Sequence, residues 1–330
     1  MKAPKTLQQA IQYFSDEKVC IETVAAMRWP DGVTCPHCFA GDPYWFESQK
    51  RWKCRKCRKQ FSVKVNSIFE DSPISLSKWL PALWLIVNCK NGISSYELSR
   101  DLGVTQKSAW FMLQRLRLAM KSHNWGTKFG GGEESEVEID EAFVGGKAKN
   151  MHRKKRRQLT AVKVGEGYET RPMQENKAIV FGILDRDSRQ VRAKVVPNVK
   201  RETLQNEILK NVRYGSKVYS DQAVSYDQLR YRYVHETVNH AEKYVKGRVH
   251  TNGLENFWSL MKRNLSGTYV CVEPYHLDRY LDEQVFRFNN RATKDNPLDD
   301  ADRFLLALSQ VANRRLTYAE LTGKDGTTQA

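Results

Sequence analysis

The chain has 330 residues, of which 40% are apolar, and its 54 Lys and Arg against 38 Asp and Glu give a formal net charge of +16. That apolar share is enough to build cores in two or three domains, while the positive excess points to a polyanionic partner, nucleic acid above all. An anionic membrane is disfavoured because no apolar run approaches a membrane span, and the polar, amphipathic start (Met1 to Phe14) lacks a signal-peptide core, so the expected compartment is the cytosol.

In chain order, residues 5–28 carry helical periodicity through Leu7, Ile11 and Phe14, then Val19, Ile21, Val24 and Met27. Trp29-Pro30-Asp31-Gly32 breaks it. A cysteine cluster follows, then an apolar helix at 74–90 with Pro81 near its start, and helices at about 95–101 and 106–122. Residues 126–135, rich in Gly and polar side chains, read as a linker. The second half alternates: strands at about 136–144, 177–184, 190–196, 217–220 and 233–238, with a short helical stretch near 222–230. Helices are expected at about 201–212, 253–265, 274–289 and 299–313. This is a mixed α/β order.

Seven cysteines, an odd number, argue against a disulfide framework in a reducing compartment; Cys20, Cys89 and Cys271 are scattered and read as ordinary buried thiols. The other four, Cys35, Cys38, Cys54 and Cys57, form two C-x-x-C pairs fifteen residues apart. Two residues between thiolates let both sulfurs of a tight turn converge on one ion, and two such turns complete the tetrahedral shell of Zn²⁺. A closed shell has no open position, so this zinc is structural. His37 is the competing ligand. Tyr44, Trp45 and Phe46 facing Trp52 suggest a hairpin, and Lys50, Arg51, Lys53, Arg55, Lys56, Arg58 and Lys59 give it a basic surface.

Ser95 to Trp110 reads as helix, Gly-containing turn and helix, with Leu98, Leu102, Val104, Trp110 and Leu113 as shared core. Gln106, Lys107 and Ser108 would stand at the exposed start of the second helix, where base edges are reached.

Within the strand Glu138-Ile139-Asp140-Glu141-Ala142-Phe143, alternation puts Glu138 and Asp140 on one face and Glu141 on the other. A carboxylate inside a strand needs a partner or a metal. Asp221 ends a later strand, and Glu255 lies in the helix that begins near Gly253. At about 100° per residue, Leu254, Phe257, Trp258, Met261 and Leu265 share one face, with Glu255 and Lys262 on its margin. Three such acidic residues suit two Mg²⁺ or Mn²⁺ ions for phosphodiester chemistry. Asn252, three residues before Glu255, competes for the third position, and Asp185 and Asp187 read as turn residues.

The stretches CPHC…CRKC, EIDEAFVGG, VYSDQAVSY and HTNGLENFWSLMKR resemble the insertion-sequence transposases of the ISXO-like group, from the ribbon to about residue 291. The resemblance implies an RNase H-like mixed sheet flanked by helices, preceded by a zinc ribbon and a small helix-turn-helix-like unit. It implies Asp140, Asp221 and Glu255 as the catalytic set, with Lys262 seven residues after Glu255; some members carry Asn or His third, which keeps Asn252 as the alternative. It further implies metal-dependent cleavage at transposon ends and strand transfer of the 3′-hydroxyl, on double-stranded DNA comprising inverted repeats and target, by a homodimer or larger assembly. The expected organisation is N-terminal helices (1–30), zinc ribbon (31–70), helix-turn-helix-like unit (71–125), linker (126–135), catalytic domain (136–291) and a C-terminal helix and tail (292–330). The run from Lys147 to Arg157, with Arg153, Lys154, Lys155, Arg156 and Arg157, is expected to be a loop gripping phosphates, or a solvated charge run. Rival readings are a zinc-ribbon, helix-turn-helix regulator, which needs no carboxylate set; a site-specific nuclease that does not join; and a ribonuclease, which would not need the N-terminal DNA-binding unit.

Overall fold

A computed structural model describes residues 4–121, 126–131, 134–145, 177–221, 226, 229–238 and 250–324, with backbone alone at 161–164, 167–170 and 238. The chain forms two compact units, one drawn from Met1–Lys121, Gly267–Val270 and Asp282–Ala330, the other from Ser122–Ser266 and Cys271–Leu281.

In the first unit the N-terminal periodicity resolves into two helices, α1 (Leu7–Tyr13) and α2 (Glu17–Arg28), because Asp16 caps the second by accepting the Lys18 N–H. Leu7 and Ile11 stay exposed, contrary to their spacing; α1 buries Ala10, and Phe14 at its C-cap is buried as well. Strands β1 (Tyr44–Phe46), β2 (Arg51–Lys53) and β3 (Gln60–Phe61) form an antiparallel ribbon, with Trp45 paired to Trp52. Trp52 stacks on Phe61 and meets Trp29 edge-on, so the ribbon's inner face joins the core.

Helix α3 (Leu76–Asn88) is buried around most of its circumference, as its apolar composition requires. Helix α4 (Ser95–Leu102) begins with a Ser94–Glu97 capping box and stops at Gly103, whose φ of 58° is the left-handed conformation glycine tolerates best. Helix α5 (Gln106–Met120) starts at Thr105, which accepts the Ser108 N–H. Leu98 and Leu113 are core residues, whereas Trp110 is half-buried; Ala109, Met112 and Leu116 are the further residues that α5 buries there.

The second unit is built on five strands: β4 (Glu136–Val144), β7 (Ala178–Asp185), β8 (Gln190–Val196), β9 (Lys217–Asp221) and β10 (Val234–Val238), while β5 (Ala161–Val164) and β6 (Gly167–Thr170) pair as a separate hairpin. The order is β10-β9-β4-β7-β8; β7 and β8 run antiparallel to their neighbours, and β9 and β10 are parallel. This is the expected RNase H-like mixed sheet. The turn between β7 and β8 is closed by Asp185, which accepts the Ser188 N–H and hydroxyl, as its turn reading anticipated. On one face Val137, Ile139, Phe181 and Ile183 pack on α6 (Arg201–Asn211) through Leu204 and Ile208. The other face receives α7 (Asn252–Asn264). Helices α8 (Leu277–Asn289), α9 (Asp300–Ser309) and α10 (Tyr318–Leu321) complete the chain; in the first unit Phe304 of α9 lies against Phe14 and Trp84.

Candidate active site

Strand β4 positions Asp140 in the middle of the sheet. The register pairs Glu138 with Tyr219 in parallel, and two residues further along each strand stand Asp140 and Asp221. Both belong to the face that α7 covers. Trp258 of α7 donates its indole N–H to Asp140 Oδ2 at 2.9 Å, and the Glu141 N–H donates to Oδ1 at 2.8 Å. The approach of α7 depends on Gly182, paired with Asp140 across β7: a Cβ there would stand 2.6 Å from the Trp258 ring.

Burial pushes the Asp140 carboxyl up to about 6; the Trp258 and Glu141 donors pull it down, and the charges of Asp221 and Glu255 push it further up. One Asp221 oxygen, Oδ1, is buried with no hydrogen-bond partner. Glu141, on the opposite face as alternation requires, has its carboxyl pushed up to about 7 by burial, against the nearby Tyr226 hydroxyl, with Asp221 and Asp140 adding to the rise. Tyr226 itself is pushed well above its ordinary value, first by burial and then by Glu141. Glu255 is half-buried on α7, while Asn252 and Lys262 are exposed. The sheet and α7 thus bring Asp140, Asp221 and Glu255 into one electrostatic neighbourhood.

Glu138, two residues before Asp140 on the same face, is engaged on both oxygens. Oε1 accepts Arg186 Nε at 2.7 Å and Oε2 accepts the Leu254 N–H at 3.0 Å. Arg186 also donates to Glu136 at 3.0 Å and to the His250 carbonyl at 2.7 Å, with its guanidinium over the Tyr219 ring. Gly182 and Arg186 lie outside every motif, and His250 and Trp258 lie in the HTNGLENFWSLMKR block without a role of their own, so sequence reasoning assigned none of the four a part in the site. The one available signal was a glycine inside a strand, which marks a close approach.

In the first unit Cys35, Cys38, Cys54 and Cys57 bring their sulfurs within 4.8 Å of one another, the one group among the described residues to gather three or more ligand atoms that closely. The three carboxylates are not drawn together to that distance. The His37 N–H donates to Cys35 Sγ and the Cys57 N–H to Cys54 Sγ, each at 3.4 Å, the knuckle geometry that a C-x-x-C spacing anticipates. The Cys57 N–H is the first cause that pulls the Cys54 thiol down, to about 6. Four clustered thiols with backbone donors suit a closed, structural metal shell. His37 points its ring edge-on to Phe61 and is not part of the cluster.

Gln106, Lys107 and Ser108 do stand at the start of α5, but each has an internal partner: Gln106 donates to Ser95, Lys107 lies over the Tyr318 ring, and the Ser108 hydroxyl accepts from Thr105. Beyond its first turn α5 is mostly core. Arg153, Lys154, Lys155, Arg156 and Arg157 lie outside the described residues. No described helix is long and apolar enough to cross a membrane.

Residues 131–289 match the ISXO2-like transposase domain, and residues 15–60 match the transposase zinc-ribbon domain. A protein described as an uncharacterized protein in transposable element ISH50, from Halobacterium salinarum, is 26% identical over 84% of this chain and 94% of its own length. An uncharacterized transposase-like protein of Haemophilus influenzae is 37% identical over 30% of this chain and 81% of its own length. With its four-cysteine ribbon, its RNase H-like sheet and these matches, the chain belongs to the ISXO-like family of insertion-sequence transposases.

Proposed function

We propose that this transposase cuts DNA at the ends of its element and transfers the freed 3′-hydroxyl to target DNA, with Asp140, Asp221 and Glu255 holding two Mg²⁺ or Mn²⁺ ions. The observation that carries this reading is the buried, unpartnered Asp221 Oδ1 next to an Asp140 whose charge is opposed by burial and by two further carboxylates. An oxygen-only set of buried carboxylates that oppose one another's charge fits hard divalent cations. Such ions, when bound, activate the attacking water or hydroxyl and stabilise the leaving oxygen.

The chain's own residues set up that chemistry. Trp258 fixes one Asp140 oxygen and keeps the carboxylate in its rotamer. Glu255 fills the third position in preference to Asn252, because its negative charge already acts on Asp140 while Asn252 is exposed at the first residue of α7. Lys262, exposed about two turns along the same helix, meets a phosphate of the bound strand. The ribbon's zinc is structural, its basic surface and the first turn of α5 bind the terminal inverted repeats, and the run 153–157 grips phosphates near the cut. Residues 136–291 form the catalytic domain, and the protein works in the cytoplasm on nucleoid DNA, as a dimer or larger assembly.

The test is a strand-transfer assay on DNA carrying the element ends, with Mg²⁺ and with Asp140→Ala as control. Joined products from the wild type alone support the proposal. Equal activity in the variant removes Asp140 from the mechanism. Cutting without joining would make the protein a site-specific nuclease, and binding without cutting a regulator.

A further inference from the structure

We infer that Glu138 is a positioning residue that clamps the first turn of α7 to β4 and thereby sets where Glu255 stands against Asp140; this rests on the catalytic reading above. The carboxyl group is 2% exposed and both its oxygens face partners inside the fold, Oε1 the Arg186 guanidinium and Oε2 the Leu254 N–H. That N–H is one of the donors a helix leaves unpaired in its first turn, and Thr251 at the N-cap makes no side-chain bond to satisfy any of them. The helix N-terminus is therefore capped from the sheet instead of from its own sequence. The first-turn amide and its partial positive charge favour a carboxylate there.

Three neighbouring residues, Arg186, Tyr219 and Gly253, complete the clamp. Arg186 spans Glu138, Glu136 and the carbonyl of His250, so the chain entering α7 is tied to the same strand. Tyr219 on β9 supports the guanidinium from one side and donates its hydroxyl to Glu136 at 3.1 Å. Gly253 permits the approach: a Cβ there would lie 2.8 Å from Glu138 Oε2 and 2.9 Å from Leu184 Cδ1. Glu255 follows Gly253 by two residues and Leu254 by one. A shift of the clamped turn therefore carries Glu255 with it, while Asp140 stays fixed in β4.

The experiment compares full-length wild type, Glu138→Ala, Glu138→Gln and Gly253→Ala, without and with Mg²⁺. It reads the Mg²⁺-induced rise in melting temperature, end-DNA affinity, and cleavage rate against Mg²⁺ concentration. Glu138→Ala is expected to need about 10- to 100-fold more Mg²⁺ for both the melting shift and cleavage, with end-DNA affinity unchanged. Glu138→Gln keeps an oxygen for the Leu254 N–H and should recover much of that loss, and Gly253→Ala should reproduce it with Glu138 intact. Unchanged Mg²⁺ dependence in Glu138→Ala and Gly253→Ala overturns the inference. So does a Glu138→Gln variant as impaired as Glu138→Ala, which would mean that charge alone matters. If Glu138→Ala does not fold, Gly253→Ala decides. A wild type with no Mg²⁺ shift and no cleavage would instead count against the catalytic reading.

Discussion

Asp140→Asn should stabilise the metal-free protein at pH 8. Its carboxyl rises from 3.8 to about 6 in the folded state, chiefly through burial. At about 1.4 kcal/mol per pKa unit, the buried charge costs up to about 3 kcal/mol at neutral pH. Asparagine removes that charge but can accept at only one of the two positions now served by Trp258 and Glu141, a loss of about 1 kcal/mol or somewhat more. The net expectation is a gain of about 1–2 kcal/mol, or a rise of roughly 2–8 °C in the melting of a unit this size. The sign follows from the raised pKa. Asp140 contributes its full stability below about 3.8 and loses it as pH rises through about 6, so the variant's advantage is widest at pH 8 and gone at pH 4. Urea or thermal unfolding without added Mg²⁺, at both pH values, reads this directly. Added Mg²⁺ should then raise the melting temperature of the wild type and leave the variant nearly unmoved. A variant that is less stable than wild type by the same margin at pH 8 and pH 4 would refute the argument that the buried charge is strained.

Gly182→Ala inserts a methyl at 2.6 Å from the Trp258 ring and should cost about 1–3 kcal/mol in unfolding experiments while lowering activity through the Trp258–Asp140 bond; a variant equal to wild type in both would show that α7 yields without consequence. Glu283→Gln leaves Arg117 and Arg287 facing a neutral group in the first unit's core and should cost about 3–5 kcal/mol by denaturant titration. Burial alone would raise Glu283, but the two arginines hold its carboxyl below its ordinary value, so this stability is present above about pH 4.5 and should fall away on acidification. Cys38→Ser should drop the metal content, about one zinc per chain by mass spectrometry, and open the ribbon to protease. Alanine replacement of Arg153, Lys154, Lys155, Arg156 and Arg157 should weaken end-DNA binding and flatten its salt dependence; identical binding at every salt concentration would remove this run from the interface.

Local chemistry made much of this protein legible from its sequence. The cysteine spacing already specifies a four-thiolate cluster, because two residues between sulfurs leave a turn little choice of geometry. Alternation along Glu136–Val144 was enough to separate Asp140 from Glu141, and the angular arithmetic of Leu254, Phe257, Trp258 and Met261 picked out the face of α7 that is buried. Periodicity failed where burial depends on a distant partner: Leu7 and Ile11 remain in solvent, and Trp110 is only half-buried. It could not say that Phe304 packs beside Phe14 in the first unit, since nothing local records a contact between residues nearly three hundred positions apart. Tertiary structure alone decided how α7 is held: Glu138, Arg186, His250 and Gly253 belong to three separate stretches of chain, and only the register of β4 with β7 and the close approach of α7 bring their charges together. Spacing in sequence specifies chemistry within one turn or one strand; the strength of a buried charge depends on what the fold withdraws from water around it.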